Sequence, residues 1–192
     1  MTVQIPVLVS QRSVISGEYM KTPIEKYEIR RARLTINDRD QFLQIIQGIG
    51  QLYSVHIVCF DADKMAGQAH AKAAMHHSQR SFFSGKPISN SFEMEALLFA
   101  AGTRQCQVAT SFGIKEGENT MFVCTYPVND HVWSDLSRHM HFVDEMRDDM
   151  TPKKEERLAS LFNISQEELD VVGRDRIIDL ILERIALLNV NR

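Results

Sequence analysis

A chain of 192 residues is long enough to bury a full core in one domain, and 44% hydrophobic with 24% charged residues is ordinary for a soluble globular protein. A net charge of −3 excludes a general basic coater of nucleic acid, although it leaves room for a local basic patch. Three cysteines, Cys59, Cys106 and Cys124, lack any Cys-x-x-Cys spacing; they exclude a disulfide frame and a zinc-finger site and read as buried thiols in a reducing, cytoplasmic setting.

No apolar run reaches the ~20 residues of a membrane span. Met1–Ser10 has an apolar run broken by Pro6 and no basic lead, so it is not a secretory signal. Residues 1–26 predict an irregular arm with room for one short strand at Ile5–Val9, and the remainder, 27–192, a single α+β domain. Tyr27–Thr35 has strand propensity with an imperfect alternation. Its Arg30, Arg31 and Arg33 form either a solvated strand face, the usual fate of a charge run, or a phosphate contact. Asn37 or Asp38 caps a helix carrying Phe42, Ile45, Ile46 and Ile49. Val55–Phe60, nearly continuous in apolar residues, predicts a buried strand.

Asp61-Ala-Asp63 reads as turn and cap chemistry ahead of a cation site, because no third acid lies nearby. A helix over 64–84 puts His70 and His77 on one face; they read as polar surface beside a groove, with metal ligation needing a third ligand from elsewhere. Gly85-Lys-Pro-Ile-Ser-Asn90 breaks that helix, and Ser89, Asn90 or Ser91 caps the next. Asn90 with Glu93 has the offset of a capping box. Met94, Leu97, Leu98 and Ala101 predict its core face and Gly102 its stop. Thr103 opens a short helix ending at Gly113, and Met121–Tyr126 predicts a strand closed by Pro127.

Residues 128–157 hold Trp133, His131, His139, His141 and the acids Asp144, Glu145, Asp148, Asp149, Glu155 and Glu156, predicting a helix or loop and then an acidic exposed segment. Short helices follow near 155–161 and 166–170. In the last helix, 173–190, the charged stripe Arg176, Asp179 and Glu183 leaves an apolar arc wider than a surface helix needs. That arc is either core or a second surface awaiting a partner.

Between Lys64 and Lys115 six Lys/Arg face two acids, a local +4 within a chain of −3. An anionic ligand at the middle fits this asymmetry. The sequence carries no G-x-S-x-G, P-loop, G-x-G-x-x-G, H-E-x-x-H or kinase signature, and its histidines have no evident nucleophile. It reads as a non-enzyme without a cofactor or catalytic residue.

Four stretches carry a resemblance: Phe60-Asp-Ala-Asp63, Lys86-Pro-Ile-Ser-Asn-Ser-Phe-Glu-Met-Glu-Ala-Leu-Leu98, Ala101-Gly-Thr-Arg-Gln105 and Phe112-Gly-Ile-Lys-Glu-Gly117. Through them the chain resembles the small regulatory subunits of the KEOPS (EKC) complex, the TPRKB (PRPK-binding protein) family, in its archaeal form. The likeness runs from about Arg31 to Leu188 and is most specific over Ser91–Gly117; 1–26 and 128–150 look like an extension and an insertion. It implies a non-catalytic subunit that binds the kinase-like ATPase of the complex through its C-terminal helix. That ATPase in turn touches the threonylcarbamoyl transferase, which modifies the adenosine next to the anticodon. It also implies tRNA binding at the single-stranded 3′ CCA end. By this resemblance Lys64, Lys72, Lys86 and Arg104 would contact phosphates and Ile88 a base face. Asn90, Glu93 and Gln105 would hydrogen-bond base edges or ribose, with Asn90 and Glu93 equally readable as cap residues and Arg104 as an ion-pair partner of Glu93. Ile177, Ile178, Ile181, Ile185 and Leu188 would face the kinase-like partner.

Overall fold

The computed structural model describes residues 26–144 and 150–188. The short strand expected at Ile5–Val9, and the arm around it, lie outside the described residues. The centre is an antiparallel sheet of β1 (Glu28–Ile36), β2 (His56–Asp61), β3 (Gly117–Tyr126) and β4 (His141–Val143), in the order β2-β3-β1-β4. Three strands fall where the sequence puts them. β4 does not announce itself, since three residues are too few to show an alternation; it adds to β1 with Ala32 opposite Phe142.

β3 is interior and buried on both faces, which is why Met121-Phe-Val-Cys124 is continuously apolar. Its alternation assigns residues to two cores. Met121 and Val123 join Ala32, Ile36 and Ile57 under α1 (Arg39–Tyr53) and α5 (Asp130–Leu136), which contribute Phe42, Ile46, Ile49, Trp133 and Leu136. Phe122 and Cys124 join Val58 and Phe60 on the opposite face, under α2 (Gly67–Phe83), α3 (Phe92–Ala101) and the C-terminal helices. The molecule is therefore an α+β fold of three layers with the sheet in the middle.

Local signals explain most element ends. Asp38 accepts from Gln41 N–H at 2.9 Å and starts α1. Gly102 takes φ 60° to stop α3, against Ile185 and Phe162 of the C-terminal helices. After β2, Asp61 accepts from Asp63 N–H, which makes the turn, and its other oxygen holds Lys115 at 3.0 Å. The cap half of that reading fails: α2 begins at Gly67, three residues later than expected, and its N-cap Ala66 has no side chain to cap with. The arginines of β1 are not a plain solvated face. Arg30 pairs with Glu28 and stacks 4.3 Å over Trp133, whose indole N–H donates to the same Glu28.

Two short helices, α4 (Cys106–Thr110) and α6 (Pro152–Leu161), precede α7 (Gln166–Val172), where Ser165 and Glu168 form the capping box. A single 3-10 turn at Arg174–Arg176 then leads into α8 (Ile177–Leu187). Here the sequence expectation is corrected. Ile177, Ile181, Ile185 and Leu188 are buried in the second core, because α8 lies across α2 and α3 rather than outside them. Only Ile178 of the expected partner-facing five keeps a half-exposed side chain. No described helix is long and apolar enough to cross a membrane.

The histidines also differ from expectation. His70 is fully buried, bonded to Ala66 N–H and to the Ala100 carbonyl, and edge-on to Phe162. His77 is half-buried and stacked on Phe99. They are packing groups, and among the described residues no cluster is built to hold a metal ion. Burial pushes both rings down to about 4. The unfolded chain therefore binds protons at these sites, from pH 6.5 downward, before the folded chain does, so stability present at neutral pH is lost as pH falls from about 6.5 to about 4. For His70 alone the loss is on the order of 3 kcal/mol. Thermal melts are expected to fall steeply between pH 6.5 and 4.5, and His70→Gln to flatten that slope while lowering stability at pH 7.

Candidate nucleic-acid interface

α2 and α3 form an antiparallel hairpin, and two buried polar ties fix their relative position. At one end His70 of α2 meets the Ala100 carbonyl of α3 at 3.0 Å. At the other, Ser81 of α2 donates to Glu95 of α3 at 2.5 Å. Small residues between them, Ala71, Ala74, Ala96 and Ala100, all 0% exposed, allow the helices to approach closely. α3 is buried nearly all round, through Phe92, Glu95 and Phe99 as well as the expected Leu98 and Ala101, while Met94 and Leu97 are half-buried.

Glu95 is a residue that sequence reasoning passed over. Its carboxylate is 0% exposed, yet it accepts from Ser81 and from the backbone N–H groups of Ile88 and Ser89 at 2.9 and 2.8 Å. Three donors, two of them from one loop, compensate a buried carboxylate and fix the loop that holds Lys86, Ile88 and Asn90. Ser81 Oγ also lies 3.1 Å from the Lys86 carbonyl. The available signal was an acid on an otherwise apolar helix, one helix turn past a Pro-containing loop.

The cap of α3 is Ser91, whose hydroxyl accepts from Met94 N–H, not Asn90. Glu93 consequently is no capping-box partner of Asn90. Its carboxylate accepts from Ser91 Oγ and lies 2.7 Å from His56 Nδ1. Burial opposes ionisation of Glu93, but the hydrogen bonds from His56 and Ser91 outweigh it and hold the carboxyl below its usual range. Arg104 does not pair with Glu93 either. Its guanidinium reaches the Leu188 carbonyl at 3.4 Å, at the far end of α3.

The eight residues expected to touch RNA fall into two groups. Lys86, Ile88, Asn90 and Glu93 sit at the N-terminal end of α3, with Lys86 and Asn90 exposed and Ile88 leaning on the core. Arg104 and Gln105, both exposed, follow its C-terminal end. Lys64 is tied to that second region, donating to the Ser111 carbonyl at 2.6 Å just beyond α4 and lying 5.7 Å from the Phe112 ring centroid. Lys72 projects to solvent from the first half of α2, the half that pairs with the end of α3. The two groups are separated by the length of α3, about 15 Å for its ten residues. They make two ends of one strip, not one pocket.

Beside the strip a cavity of about 570 Å³ opens between α1, β2 and α3, and Glu93 and His56 stand at its rim. Cys59 lines it, and burial pushes this thiol up to about 12, so no thiolate is present at neutral pH. No family model and no curated protein matches the sequence.

Two substitutions separate cap from bystander. Ser91→Ala is expected to cost about 1 kcal/mol in urea unfolding, and Asn90→Ala close to nothing. Glu95→Ala, which strands the buried Ser81 hydroxyl and two partly buried amides, is expected to cost about 3 kcal/mol in the same experiment.

Proposed function

We propose that this chain is a non-catalytic adaptor of the KEOPS type, which binds the 3′ CCA end of tRNA and a kinase-like ATPase, and so supports threonylcarbamoylation of tRNA by the transferase that the ATPase contacts. The observation that carries the RNA half of this reading is the strip along the α2–α3 hairpin. Lys72, Lys86, Arg104 and Gln105 are exposed along it, in a stretch of local charge +4, and its loop is held rigid by a buried carboxylate. A single strand a few nucleotides long spans about 15 Å, lysine and arginine take its phosphates, and unpaired bases offer faces to Ile88 and edges to Asn90 and Gln105. Lys64, Glu93 and Arg104 have partners in the protein, and would act by exchanging them.

The protein half rests on α8. Ile178, Leu182 and Ala186 recur every fourth residue and remain half-exposed beside a buried face, an apolar strip that suits a helical or flat protein surface. Because this strip exists whether or not RNA binds, it also supports the narrower reading of a regulator of the kinase-like partner with no RNA contact.

Charge reversal tests the strip. Lys86→Glu and Lys72→Glu are each expected to weaken tRNA binding about tenfold at low salt and to leave the melting temperature near that of the unmodified chain. A large loss of stability would mark the lysine as structural, and unchanged binding in both variants would favour the regulator reading. Ile178→Asp is expected to abolish co-purification with the kinase-like subunit while leaving tRNA affinity unchanged.

A further inference from the structure

β2 is an edge strand, and its outer edge forms part of the wall of the 570 Å³ cavity. The ladder phase follows from the register. His56 pairs with Tyr126 and Phe60 with Phe122, and Ala62 N–H continues the ladder to the Thr120 carbonyl. The even-numbered residues therefore turn their backbone groups toward β3, and Ile57, Cys59 and Asp61 turn theirs outward. The Asp61 end is closed, because its N–H goes to the Phe112 carbonyl and its carbonyl accepts from Lys64 N–H. The other end is closed by Val55 N–H on the Gly50 carbonyl. Between these stops, among the described residues, nothing pairs with the outward N–H and C=O of Ile57 and Cys59. Two donor–acceptor pairs, two residues apart on one strand, thus face a cleft walled by α1 and α3.

We propose that this edge takes a short extended peptide from a partner protein, added to the sheet as a fifth strand beside β2. Strand addition is what unpaired edge groups favour: the backbone of the incoming segment supplies up to four hydrogen bonds, and alternate side chains enter the flanking pockets. The walls state what those side chains are. Phe42 and Ile46 of α1, with Ile114 packed against the same core, stand on one side and Leu97 of α3 on the other, so the inward residues are apolar. Charge excludes the rival occupant. Among the described residues the lining holds no Lys or Arg, and its single acid is Glu93, kept ionised by His56 and Ser91. A phosphate-bearing strand meets no counter-charge there, in contrast to the hairpin strip. Protein segment and RNA thus use different faces, and the inference does not depend on the RNA reading.

The test uses the full chain, isotopically labelled, with the uncharged peptide acetyl-(Thr-Val)3-amide as probe. Addition of the peptide is expected to slow hydrogen exchange at the Ile57 and Cys59 amides and to leave the β3-facing amides unchanged. N-methylation of the peptide's alternate amides is expected to weaken binding about tenfold by removing donors. Cys59→Pro deletes one outward donor at an edge position that tolerates proline, and is expected to weaken binding to a similar degree. Should that variant fail to fold, the methylated peptide still decides. Equal binding of methylated and plain peptide would overturn the proposal. So would displacement of the peptide by the trinucleotide CCA, which would assign the cleft to a base. Protection of the same amides without peptide, growing with protein concentration, would assign it to a second copy and also overturn it. Lys86→Glu is expected to leave peptide binding unchanged.

Discussion

A single buried carboxylate organises the part of this molecule on which its function is proposed. Glu95 lies in an almost wholly apolar helix, at 0% exposure, and is held there by Ser81 and the amides of Ile88 and Ser89. An uncompensated charge at that depth would cost several kcal/mol, so the loop must close over the helix for the helix to be buried at all. That one constraint sets the exit of α2, the path of residues 86–90 and the position of Ser91 as the cap of α3. It also places Glu93 two residues before Glu95, turned toward β2 and His56 instead of into the hairpin.

Much of the fold was legible because its signals are local and additive. Asp38, Gly102 and Pro127 punctuate elements where cap, C′ and strand-end chemistry place them, and the apolar run of β3 marks an interior strand. The features that were not legible depend on what lies opposite in space. His70 looks amphipathic by sequence, yet it is a core residue because Ala66 N–H and the Ala100 carbonyl meet both its ring nitrogens. Ser91 prevails over Asn90 as cap, one residue later than the capping-box spacing assumes, following a loop that Glu95 ties down through the Ser89 amide. The wide apolar arc of α8 is mostly core, since the helix crosses α2 and α3; only its Ile178, Leu182, Ala186 edge is left for a partner. Of the candidate RNA residues, Lys72, Lys86, Asn90, Arg104 and Gln105 are exposed, but their sequence proximity concealed a helix length between them.

The resulting molecule separates its surfaces by chemistry. The basic strip follows the α2–α3 hairpin, the cation-free cleft follows the open edge of β2, and the apolar edge of α8 lies beyond Arg104, which reaches α8's last described carbonyl. Glu93 and His56 stand between strip and cleft, their mutual hydrogen bond half-buried at the rim of both. An adaptor that must hold an anion and a protein at once needs such segregation, since a shared surface would make each ligand compete with the other.

The proposed RNA function requires that the hairpin strip recognise an unpaired RNA end. The most direct measurement compares the affinity of the full chain for one tRNA with and without its terminal CCA, across a salt series. A strip of this length and charge predicts that removal of the three nucleotides weakens binding about tenfold or more at low salt, with a shallower salt dependence for the shortened tRNA as phosphate contacts are lost. Equal affinities with the same salt slope would contradict it.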